Sequence, residues 1–169
     1  MVETVPYKEI MWIKDVEIRE YPTIILATVK GSENPFRYLF DYISGNNRIN
    51  QKISMTTPVI TPEKIEMTSP VINREDTMSF ALPSKYNIDT TPIPNDEKVI
   101  IEEEPPRRVA AIRFRGYARA KDVEKYTTQL LKVLEDEGVK VKGSPYLMRY
   151  NAPYTPGFMR RNEVAVEIE

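Results

Sequence analysis

The chain has 169 residues, 24 of them basic and 25 acidic for a net charge of −1, and 41% of it is hydrophobic, enough for one self-sufficient domain. It contains neither cysteine nor histidine, which excludes disulfides, thiolate metal sites, cysteine nucleophiles and any Ser-His-Asp arrangement. A near-neutral balance argues against a nucleic-acid surface.

In chain order, the opening residues MVETVPYKEI lack the basic start and apolar centre of a signal peptide. Tyr7 to Ile13 and Val16 to Glu20 read as strands around a tight turn at Lys14-Asp15. Ile24 to Val29 is a third strand, stopped by Gly31 and far too short to cross a bilayer, so no membrane insertion is expected and the cytoplasm is the expected compartment. Pro35 can open a helix over 35–45, with Phe36, Leu39, Phe40 and Ile43 at helical spacing and Gly45 as its stop. Val71-Ile72 and Met78 to Leu82 flank a polar turn, and the prolines of 83–97 mark a long loop. Val99 to Glu102 and Val109 to Phe114 are further strands. A second helix spans 121–137, with Val123, Tyr126, Leu130 and Leu134 along one stripe and Gly138 as its stop. Tyr146 to Tyr150 and Val164 to Ile168 complete the strands.

The order strand, helix, strands thus occurs twice, about 16–82 and 99–168 within a single domain of 1–169, which suggests an internal duplication. Such halves make an α+β fold: a distorted antiparallel β-barrel of two duplicated βαββ-like halves with two flanking helices.

Between the halves' elements, KISMTTPVI at 52–60 is followed twelve positions on by KIEMTSPVI at 64–72. Both copies read as extended, β-branched segments. Pro58 and Pro70, lacking an N–H, belong at an edge, bulge or strand end. Met55 and Met67 suit the filling of irregular core gaps. Lys52 and Lys64 read as solvated charges.

The doubled motif resembles the paired "KIAMTAPV" signature of the SOUL haem-binding proteins. The resemblance extends through Met78-Ser-Phe-Ala-Leu-Pro-Ser84, Pro92-Ile-Pro-Asn-Asp96, Arg107 to Gly116, and the stretch from Arg149 through Arg160-Arg161-Asn162-Glu163-Val164. It implies the same two-halved fold and non-covalent binding of haem or a related porphyrin in an apolar groove beside the first helix.

Haem binding needs an apolar slot, cations for two propionates and, commonly, an axial ligand. Histidine being absent, the resemblance implies a weak, exchangeable complex without it, and Met55 is a candidate contact. Phe36, Tyr38, Phe40 and Tyr42 on the first helix are candidate contacts for the macrocycle. Of these, Phe36 and Phe40 also fit a plain core stripe with Leu39 and Ile43, which leaves exposed faces of Tyr38 and Tyr42 for stacking. Arg37, Arg160 and Arg161 are candidate propionate partners, although paired arginines can equally bond loop carbonyls or a carboxylate such as Glu163. Glu102-Glu103-Glu104 alternate faces of a strand and read as a solvated edge, so no catalytic site is expected. The alternative is a small-molecule effector module. The architecture also resembles regulator ligand-binding domains that use a central cleft with a carboxylate for cationic lipophilic compounds.

Overall fold

A computed structural model describes residues 3–48, 63–152 and 154–169. The first copy of the doubled motif, with Met55, lies outside the described residues, as does Pro153. The main elements are β1 (Lys8–Ile13), β2 (Val16–Tyr21), β3 (Ile24–Lys30), α1 (Pro35–Ile43), β4 (Val71–Asn73), β5 (Thr77–Ala81), β6 (Val99–Glu104), β7 (Arg107–Phe114), α2 (Ala120–Asp136), β8 (Tyr146–Arg149) and β9 (Asn162–Glu167). They confirm the α+β class, with its antiparallel strand pairs and two helices.

The chain divides into two compact units. The first comprises residues 1–5, 24–71 and 76–104. Its strands β6, β3 and β5 are hydrogen-bonded in that order, and α1 lies against them through Leu39, Tyr42 and Ile43, which pack with Ile25, Ala27 and Phe80. Pro35 at the helix start loses no intrahelical bond there. The helix ends where Ser44 N–H returns to the Phe40 carbonyl at 2.9 Å. Buried Asn47 then ties the helix to the second copy of the doubled motif. Its amide donates to the carbonyls of Tyr42 and Glu63, each at 2.8 Å, and its oxygen accepts the Glu63 N–H at 2.9 Å. From there the second copy runs extended. Ile65 is buried in this core, Met67 is half-buried against it, and Lys64 is exposed. Thr68–Ser69 pair with Glu3–Thr4, and a cis Ser69–Pro70 bond precedes β4.

The second unit comprises residues 6–23, 72–75 and 105–169, with strand order β4, β8, β9, β7, β2, β1. Strand alternation sends Val16, Ile18, Ile112, Phe114, Val164 and Val166 to one face, where they meet Leu130 and Leu134 of α2. Each buried leucine or isoleucine there contributes about 1.5–3 kcal/mol relative to exposure. Gly138, at φ +69, takes the left-handed turn that ends α2. The opposite face of this sheet is where the expected pattern fails, because it buries charge.

Candidate functional site

The sequence points to two sets of residues, one on α1 and one at the C-terminal arginine pair, and these fall in different units. On α1 the helix is rotated from the expected stripe. Tyr42 is a core residue, 1% exposed, with its hydroxyl donating to the Pro92 carbonyl at 2.7 Å. Phe36 and Phe40 are instead 40% and 49% exposed. The cause of this rotation is simple. A tyrosine whose hydroxyl finds a carbonyl can sit in a core, and burying Leu39, Tyr42 and Ile43 leaves Phe36 and Phe40 on the flank. Tyr38 is half-buried with the Lys98 ammonium 4.9 Å from its ring centre, so its face already has a cation. The rings offered by this helix are therefore Phe36 and Phe40, stacked with centroids 5.9 Å apart, with Phe36 also edge-on to Phe80 at 5.5 Å. Arg37 and Asp41 are exposed beside them.

In the second unit both arginines have protein partners. Arg160 donates through Nε to the Thr155 carbonyl at 2.7 Å and covers the Tyr117 ring, its guanidinium carbon 4.6 Å from the ring centre. Arg161 lies over Tyr150 at 3.9 Å and donates to Glu163 Oε2 at 3.2 Å. A loop carbonyl and the Glu163 carboxylate are the partners that the supporting reading of this pair anticipated.

Glu163 is the centre of a network that the sequence reading did not find. It is fully buried on β9 and accepts both terminal nitrogens of Arg19 on β2, at 2.8 Å for Nη1 to Oε1 and as a closer ion pair for Nη2. The Tyr150 hydroxyl and the Arg113 guanidinium also donate to it. Arg19, equally buried, bonds Glu17 and the Tyr21 hydroxyl and lies over the Tyr7 ring. Burial works against ionising Glu163, but the hydrogen bond and charge of Arg19, with help from Tyr150 and Arg161, hold its carboxyl below the usual range. Burial raises Tyr150, and the neighbouring Glu163 charge raises it further. Burial likewise pushes Tyr21 up to about 12, against the opposing pull of Arg19. A carboxylate so fully paired is a weak base and a poor receptor for an incoming cation. The only sequence signal was alternation: Glu17, Arg19 and Tyr21 share one strand face, and Glu163 runs directly into the apolar stretch Val164-Ala165-Val166.

No three acidic side chains cluster to hold a metal ion among the described residues. Of the described methionines, Met148 is sealed in the core, Met67 and Met78 are half-buried, and Met11 and Met159 are exposed.

The SOUL heme-binding protein family model matches residues 2–167. Heme-binding protein 1 of Bos taurus is 28% identical over 123 residues, 73% of this chain and 63% of that protein, so the match spans just under two thirds of the relative's length. Heme-binding protein 1 of Xenopus tropicalis is 28% identical over 157 residues, 88% of this chain and 80% of that one. Among solved structures, the EcmrR C-terminal domain superposes with a TM-score of 0.59 at 12% identity, covering 91% of this chain and 96% of that chain. A hydrolase from Listeria innocua gives 0.57 at 12% identity, with 92% of each covered. At these identities the structural likeness is one of fold.

Proposed function

This chain belongs to the SOUL heme-binding protein family, and from that premise we propose that it binds haem or a related tetrapyrrole non-covalently in the cytoplasm, as a carrier or buffer and not as an enzyme. The observation that carries the reading is the stacked, half-exposed Phe36–Phe40 pair on α1. A helix ordinarily buries two such rings, and leaving them at the surface costs hydrophobic free energy that a flat apolar ligand recovers. Arg37 beside them supplies a cation for a propionate, partly offset by Asp41 one turn on. Arg160 and Arg161 are the further candidates, and each would have to share its present partner.

Haem supplies the iron; this chain supplies apolar surface and cations. With no histidine in the sequence, affinity rests on ring contact and charge, and we expect a dissociation constant of about 1 µM or weaker. The effector-module alternative requires a carboxylate for a cationic ligand, and the buried candidate, Glu163, is already taken up by Arg19. The test is a spectrophotometric titration with haemin, repeated on the Arg37→Glu, Arg161→Glu double variant. Two reversed charges should weaken the complex by about 1 kcal/mol or more at low salt. Unchanged affinity in a folded double variant removes both arginines from the site, and no haemin binding by the wild type removes the proposal.

A further inference from the structure

Far from α1 in sequence, the second unit carries a patch in which the chain's charge is not balanced. Residues 115–121 contain Arg115, Arg119 and Lys121, and residues 149–161 contain Arg149, Arg160 and Arg161, with no Asp or Glu in either stretch of a chain whose net charge is −1. The fold joins the two stretches. Gly116 N–H donates to the Gly157 carbonyl at 3.0 Å, Asn162 donates to the Gly116 carbonyl at 2.7 Å, and Arg115 donates to the Phe158 carbonyl at 3.1 Å. The Tyr117 ring lies so close over Gly157 that a Cβ there would come within 2.6 Å of it, so the packing of this turn depends on glycine. Arg161 turns inward to Glu163, while Arg115, Arg119, Lys121 and Arg149 stay exposed.

On the same turn the apolar side chains project outward. Tyr154 is 89% exposed, Phe158 74% and Met159 56%, with Tyr117 beside them at 49%. Scattered exposed hydrophobes need no explanation, but three on one turn, with Tyr117 beside them and arginines around, do. A partner that flows around separate side chains while presenting negative charge satisfies both halves of the pattern. Aromatic and thioether side chains favour the headgroup–acyl boundary of a bilayer, and a collar of arginines favours an anionic one. We propose that this turn docks the protein peripherally on an anionic phospholipid surface, with Tyr154, Phe158 and Met159 entering the interface and Arg115, Arg119 and Arg149 facing the headgroups. No helix among the described residues is long and apolar enough to span a membrane, and surface adsorption requires none.

The proposal does not rest on haem binding, and its test uses no haemin. The wild-type chain is sedimented with phosphatidylcholine vesicles and with vesicles containing phosphatidylserine as well, at low and high salt. Two variants follow, Phe158→Ser with Met159→Ser and Arg119→Glu with Arg149→Glu, each checked for folding by near-ultraviolet circular dichroism. Binding to the anionic vesicles alone, lost at high salt and weakened at least about tenfold in each variant, supports the proposal. Failure of the wild type to sediment with anionic vesicles overturns it, as does equal binding to both vesicle types. Binding that neither folded variant weakens overturns it too, and so does retention by single-stranded RNA without any by vesicles. Should one variant fail to fold, the other alone decides.

Discussion

Arg19 and Glu163 stand 144 positions apart in the chain and meet through two parallel hydrogen bonds with neither side chain in contact with solvent, at 1% and 0% exposure. A buried charge keeps its ionised form only when its partners replace the water it has lost. Each of these supplies the other's main compensation, and Glu17, Arg113, Arg161 and Tyr150 complete it. Replacing Glu163 by Gln preserves the shape and leaves Arg19, Arg113 and Arg161 short of negative charge. We expect a loss of about 3–5 kcal/mol in urea unfolding. A loss under about 1 kcal/mol would mean that the network contributes little to holding the second unit together.

The same pair sets an acid dependence. Its folded carboxyl lies below the usual range, whereas in the unfolded chain it titrates near about 4.3. The folded state therefore takes up this proton at lower pH than the unfolded state. The stabilisation is fully present above the unfolded value and is lost as the pH falls through the folded one. Urea midpoints measured from neutral pH down into the acid range should drop for the wild type and drop less for Glu163→Gln. Parallel profiles for the two would show that Glu163 is not the group responsible.

Asn47 makes a local prediction of a different kind. Its buried side chain satisfies three backbone groups where α1 meets the second copy of the doubled motif. Alanine there strands buried donors and acceptors at roughly 1–3 kcal/mol for each group that water cannot reach. We expect Asn47→Ala to lower stability by about 2–3 kcal/mol, read as a shift of the urea midpoint. A variant that unfolds like the wild type would show that water replaces these bonds.

Much of this fold is legible in the sequence. The α2 stripe of Val123, Tyr126, Leu130 and Leu134 with Gly138 beyond it is a full-length amphipathic pattern, and helix and stop fall where that pattern places them. Lys14-Asp15 makes the turn despite having no glycine, because Lys14 itself takes a positive φ of 54. On α1 the existence of the helix was legible and its orientation was not. Nine residues with apolar side chains on nearly every side allow several buried stripes, and what selects one is the Pro92 carbonyl waiting for the Tyr42 hydroxyl, fifty positions downstream. The Arg19–Glu163 pair was hidden for a related reason. An arginine within a strand reads as solvated until its partner is known, and that partner is set by register across β2, β7 and β9. For Met55, a candidate haem contact, the described residues give no position.

The proposed tetrapyrrole contact on the exposed rings of α1 is tested most directly by fluorescence or Soret titration of haemin into wild type and Phe36→Ser, Phe40→Ser protein. Both rings are about half exposed, so the double change should cost little stability while removing the contact surface. Losing two half-engaged aromatic contacts should weaken haemin binding by about tenfold or more, with the unfolding midpoint nearly unchanged. Haemin affinity equal to that of the wild type in a folded double variant would contradict binding at these rings and place the ligand elsewhere on the chain.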